Sequence, residues 1–70
     1  MNTTENIEKI LELFKSNKLI EAKKEIEKKI KIYPNSFVLY NILGAVLAAQ
    51  NKLDDAIQNY KKSLKINSNY

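Results

Sequence analysis

A 34-residue internal echo constrains this chain more than any other feature. Asn17-Lys18-Leu19 returns as Asn51-Lys52-Leu53. Ala22, Lys28, Lys31, Ile32 and Asn35 return as Ala56, Lys62, Lys65, Ile66 and Asn69, all at the offset of 34 that separates residue 17 from residue 51. A fixed period of this size means one supersecondary unit used twice, each unit burying apolar surface that it cannot cover alone. The expected organisation is one domain over 1–70, with units at about 3–36 and 37–70.

Inside each unit the apolar residues fall at helical spacing. Ile7, Ile10, Leu11 and Phe14 are followed by Leu19, Ala22, Ile26 and Ile30; Leu39, Leu43, Val46 and Leu47 are followed by Leu53, Ala56, Ile57, Tyr60 and Leu64. Recurrence every three or four residues marks amphipathic helices. The spacing predicts an all-α chain with helices near 4–16, 19–32, 37–49 and 53–66. Asn17 and Asn51 are the expected left-handed residues that end helices, since Asn tolerates that conformation best after Gly. Tyr33-Pro34-Asn35-Ser36 stops the second helix and offers Asn35 or Ser36 as the next N-cap; Thr3 or Thr4 would cap the first. Acid-first pairs four apart (Glu5 with Lys9, Glu25 with Lys29, Glu27 with Lys31) and lysines near helix ends read as solvated faces.

Composition removes most chemistry. The 70 residues include no Cys and no His, so disulfides, thiolate nucleophiles and the usual zinc ligands are unavailable. The carboxylates sit at helix starts and on exposed faces, and no enzyme activity, cofactor or metal is expected. The formal net charge of +4 comes from lysines interleaved with Glu, without Arg and without stacking aromatics, so nucleic acid is not an expected partner. No apolar run reaches the ~18 residues of a membrane span, and the N-terminus lacks a signal-peptide pattern; the expectation is a cytoplasmic protein that does not engage a membrane.

Leu39-Tyr40-Asn41-Ile42-Leu43-Gly44, then Asn51-Lys52-Leu53-Asp54-Asp55-Ala56-Ile57 and Tyr60-Lys61-Lys62-Ser63-Leu64, resemble the tetratricopeptide repeat family. That family marks its first helix with an aromatic and Leu-Gly, matched by Tyr40, Leu43 and Gly44. Its second helix carries a small, a large aromatic and another small residue, matched by Ala56, Tyr60 and Ser63. Pro34 matches the proline that ends a repeat, and Ala22 the small residue of the first unit. The resemblance implies two tandem helix-turn-helix hairpins in a short right-handed α-solenoid. Gly44 and Ala56 would admit close approach of two helices, and Tyr60 and Leu64 would fill space against their neighbours. The first unit departs from the pattern, with Lys9-Ile10 in place of Leu-Gly and Asn6 in place of the aromatic.

The function implied by the resemblance is a protein–protein interaction scaffold. First helices of successive repeats line a concave groove for a peptide; the corresponding positions here are Thr4, Ile7, Leu11 and Phe14 with Val38, Asn41, Ala45 and Ala48. The Lys and Asn constellation that clamps carboxylate tails in some members is not reproduced, since Lys15 alone is insufficient, and no ligand class is assigned. The solenoid end is the second candidate surface. Leu53, Ile57, Tyr60, Leu64 and Ile66 would form an apolar strip favouring self-association, with a homodimer expected. The alternatives are a self-associating structural unit, or the repeat portion of a longer protein such as a glycosyltransferase or sulfotransferase.

Overall fold

A computed structural model describes residues 7–67. Four helices follow one another: α1 (Glu8–Lys15), α2 (Leu19–Ile32), α3 (Phe37–Ala49) and α4 (Leu53–Ile66). They are packed into consecutive hairpins, with extensive contact between α1 and α2, α2 and α3, and α3 and α4. The last three helices have the boundaries expected from periodicity. The first begins at Glu8; residues 4–6 of the expected helix, the Thr3 or Thr4 cap and the Glu5–Lys9 pair lie outside the described residues.

Both hairpins turn by the same device. Asn17 has φ 60° and Asn51 φ 64°. In the first turn the Asn17 amide donates to the Phe14 carbonyl at 3.0 Å and Lys18 to Leu13 at 2.8 Å; in the second, Asn51 donates to Ala48 at 2.9 Å and Lys52 to Leu47 at 2.8 Å. This paired closure satisfies carbonyls that a helix end would otherwise leave open, and it needs a left-handed residue at the position both asparagines hold. The carbonyls of Lys18 and Lys52 then accept from Ala22 and Ala56 at 2.9 and 3.0 Å, starting α2 and α4 with no side-chain cap.

The connection between the hairpins is built differently. The Ser36 hydroxyl accepts from the Leu39 amide at 3.3 Å, so Ser36, rather than Asn35, caps α3. The Tyr40 hydroxyl reaches back to donate to the Pro34 carbonyl at 3.1 Å, which ties α3 to the turn before it.

The core gathers Ile10 from α1, Ala22 and Ile26 from α2, Leu39, Leu43, Val46 and Leu47 from α3, and Ala56 from α4. Helix α3 supplies half of it because it lies between α2 and α4 and is apolar on nearly every side. Ion pairs lie on the outside: Glu25 faces Lys9 at 3.7 Å and Lys28 at 3.4 Å, and Glu27 faces Lys23 at 3.4 Å. These replace the expected partners Lys29 and Lys31. Lys28 lies on the same helix and Lys9 on the neighbouring one, so Glu25 pairs both along α2 and across to α1. Such exposed pairs contribute under about 1 kcal/mol each.

Candidate functional site

The second hairpin is locked by groups from both of its helices. An ideal Cβ on Gly44 would lie 2.7 Å from Cε1 and 2.8 Å from Cδ1 of Tyr60. The Tyr60 ring therefore lies against the Gly44 backbone, in space that any side chain would fill. The Ser63 hydroxyl, buried beneath α3, donates to the Phe37 carbonyl at 2.8 Å. This satisfies a carbonyl in the first turn of α3 and ties it to α4. The Lys62 ammonium lies 4.9 Å from the centre of the Tyr40 ring, and Tyr40 itself is buried. Leu43, Ala22 and Ala56 are buried as well, while Pro34 is exposed and contributes its carbonyl.

Residues 37–70 match the family model of the tetratricopeptide repeat. This segment is a tetratricopeptide repeat. Such repeats are protein–protein interaction modules, and the hairpin of α1 and α2 before it is consistent with the same architecture. A search of the curated proteins and one of the solved structures found no match. Among the described residues no helix is long and apolar enough to cross a membrane, and no group of three His, Cys, Asp or Glu residues is placed to hold a metal ion.

Two surfaces come into question for a partner. The groove positions are arrayed along α1 and α3: Ile7, Phe14, Val38, Ala45 and Ala48 are half-buried, while Leu11 and Asn41 are exposed. Thr4 lies outside the described residues. Two surface depressions fall elsewhere or only graze these positions. One of about 540 Å³ is lined by α2 alone, through Lys24, Glu27, Lys28, Ile30 and Lys31. The other, about 320 Å³, is lined by Glu8, Leu11, Glu12 and Lys15 of α1. Neither joins α1 to α3.

The second surface is the outer face of α4. Leu53 is 56%, Ile57 48% and Leu64 51% exposed, with Tyr60 and Ile66 half-buried. Positions 53, 57, 60 and 64 recur at four, three and four residues, which places them in one stripe. Thirty-four positions earlier stand Leu19, Lys23, Ile26 and Ile30 of α2. There Ile26 is fully buried, Leu19 and Ile30 pack against the core to which α3 contributes, and Lys23, the counterpart of Ile57, is half-buried and pairs with Glu27. The same face of the repeat is thus more covered on α2, through Leu19 and Ile30, than on α4. Leu64, a packing position by resemblance, belongs to this open stripe.

Sequence reasoning passed over one polarity in the molecule. On α3, Gly44, Tyr40 and the Phe37 carbonyl mark the side toward α4. Helical spacing turns Leu39, Ile42 and Val46 away from that side and toward α2. Their counterparts 34 positions earlier are Glu5, Glu8 and Glu12, of which Glu8 and Glu12 are exposed on α1. Among the described residues, α1 thus presents Glu8 and Glu12 where α3 has Ile42 and Val46, while α4 presents Leu53, Ile57 and Leu64. Aligning the two units position by position carries the signal for this asymmetry.

Proposed function

We propose that the chain is a protein-binding module without catalytic activity, whose principal docking surface is the open face of α4. The observation that carries this reading is the contrast between α2 and α4. A helix already covers this repeat face on α2, so the chemistry that satisfies it is a second helix bearing an apolar stripe. On α4, Leu53, Ile57 and Leu64 stand about half-exposed beside the core, where burying each fully would contribute roughly 1 kcal/mol. The groove formed by Ile7, Leu11, Phe14, Val38, Asn41, Ala45 and Ala48 is the weaker candidate, because its apolar members other than Leu11 are already half-buried. The partner is a protein segment in helical form, and the first hairpin serves as a diverged repeat that buttresses α3.

Selection of helical peptides from a displayed library against the full chain tests this. Binders should lose about tenfold or more in affinity on Ile57→Glu, the scale expected for a central interface anchor, and be little affected by Leu11→Ser. The reverse pattern would move the site to the groove and sink the assignment to α4.

A further inference from the structure

Resting on the reading of α4 as the docking surface, we propose that its occupant is an acidic amphipathic helix of another protein, which carries carboxylates in its first turns and runs antiparallel to α4.

The packing of α3 on α2 shows how a helix face of this kind is covered. Helix α3 returns from α2 across residues 33–36, and so short a connection makes it run back along its neighbour. Leu39, Leu43 and Val46 of α3 share one core with Ala22 and Ile26 of α2. On α4 the stripe from Leu53 to Leu64 is roughly 16 Å long, which three turns of a docked helix would match.

Charge beside the stripe sets the chemistry of that helix. On the flank away from the core, helical spacing aligns Asp54, Lys61 and Lys65, all exposed. Lys61 and Lys65 are four apart, so each repels the other along α4. The ion pairs among the described residues lie on α1 and α2, and none involves α4. Carboxylates on a docked helix would neutralise both lysines at the rim of the contact.

Direction follows from the same residues. Acids favour the first turn of any helix and bases the last, because they offset its dipole. Laid antiparallel on α4, such a helix brings its acids beside Lys61 and Lys65 and its bases beside Asp54. Laid parallel, it sets acid against Asp54 and base against the two lysines, and it aligns the dipoles. Net charge separates this partner from a second copy of the chain. At a formal charge of +4 two copies repel, whereas a helix of net negative charge is attracted.

Three synthetic helical peptides sharing one apolar stripe test this against the full chain. One is acid-first with net negative charge, one has the same charges in reverse order, and one has Gln at every charged position. Fluorescence anisotropy reads their dissociation constants. The acid-first peptide should bind about tenfold more tightly than the reversed one, and the gap should narrow as salt rises. Lys61→Glu with Lys65→Glu should invert that order while circular dichroism shows the helices intact. A spin label at the N-terminus of the acid-first peptide should broaden amide resonances near Lys65; broadening near Asp54 would overturn the antiparallel direction. Equal binding of all three peptides, lost on Ile57→Glu, would overturn the acidic partner and leave α4 as the docking surface. Binding indifferent to Ile57→Glu, or no binding of any peptide at millimolar chain, would remove both. Sedimentation equilibrium of the chain alone covers the remaining occupant: a dimer dissociated by Ile57→Glu would put a second copy on α4 and overturn the proposal.

Discussion

The two hairpins solve the same close approach with different residues. In the second, Gly44 removes a side chain so that the Tyr60 ring can occupy the space above α3. In the first, the equivalent positions are Ile10 and Ile26, both completely or almost completely buried. One unit pairs nothing with a large ring; the other pairs two branched side chains of equal size. The small-plus-aromatic combination allows helices to lie close over a long contact, and α3 and α4 do so with 13 and 14 residues. Helix α1 has 8 described residues and packs through Ile10. The lesson is that the family pattern at these positions records one solution to filling a gap, and a sequence can leave the pattern while keeping the core filled.

The comparison can be broken most directly at Gly44. Replacing it by Leu places a branched side chain inside the Tyr60 ring, and the expected loss is about 3 kcal/mol, the upper end of overpacking costs. Ile10→Leu at the matching position of the first hairpin should cost under about 1.5 kcal/mol, since it nearly conserves volume. Urea unfolding followed by circular dichroism measures both. Equal losses would mean that the two sites are packed alike, against the geometry described.

A sharper version transplants one solution into the other hairpin. Gly44→Ile should destabilise strongly, whereas Gly44→Ile combined with Tyr60→Ile reproduces the Ile–Ile pair of the first unit. The double variant should recover about 1 kcal/mol or more of the single variant's loss, the size of coupling expected for residues in contact. Additivity in the unfolding free energies would show that Tyr60 is not what excludes a side chain at residue 44.

The smallest effect concerns the polar lock that distinguishes the second hairpin. Ser63 stands where the first unit has Lys29, and its hydroxyl satisfies the Phe37 carbonyl at 2.8 Å. Ser63→Ala should cost about 1 kcal/mol and speed amide exchange in the first turn of α3. The same measurements on Lys29→Ala, at a half-buried position on α2, should show a loss within about 0.5 kcal/mol. A Ser63 variant as benign as the Lys29 variant would show that the bond adds nothing to stability.

Much of the fold was legible before any coordinates. The period of 34 and the 3.6-residue apolar rhythm give four helices, and the boundaries of α2, α3 and α4 come out at the expected residues. Asn17 and Asn51 were readable as turn residues because few side chains tolerate positive φ. The site was legible as a list of surfaces, not as a ranking of them. Leu53 and Leu64 look in sequence like core residues, since their counterparts 34 positions earlier are Leu19 and Ile30. Ion pairing was harder to read: Glu25, expected to meet Lys29, meets Lys28 on its own helix and Lys9 across on α1.

The sequence by itself determined what depends on neighbours along the chain: helix lengths, the left-handed asparagine turns, the absence of thiol and imidazole chemistry, and the repeat that 37–70 represents. Only the tertiary structure decided which apolar stripe is more covered and which more exposed, that Ser36 caps α3, that Ser63 and Tyr40 turn their hydroxyls to backbone carbonyls, and that the Ile10 side chain is buried in the core. The reason is physical. Local propensity is written in spacing of a few residues, whereas burial depends on which helix lies opposite, and that is fixed only when α3 settles between α2 and α4.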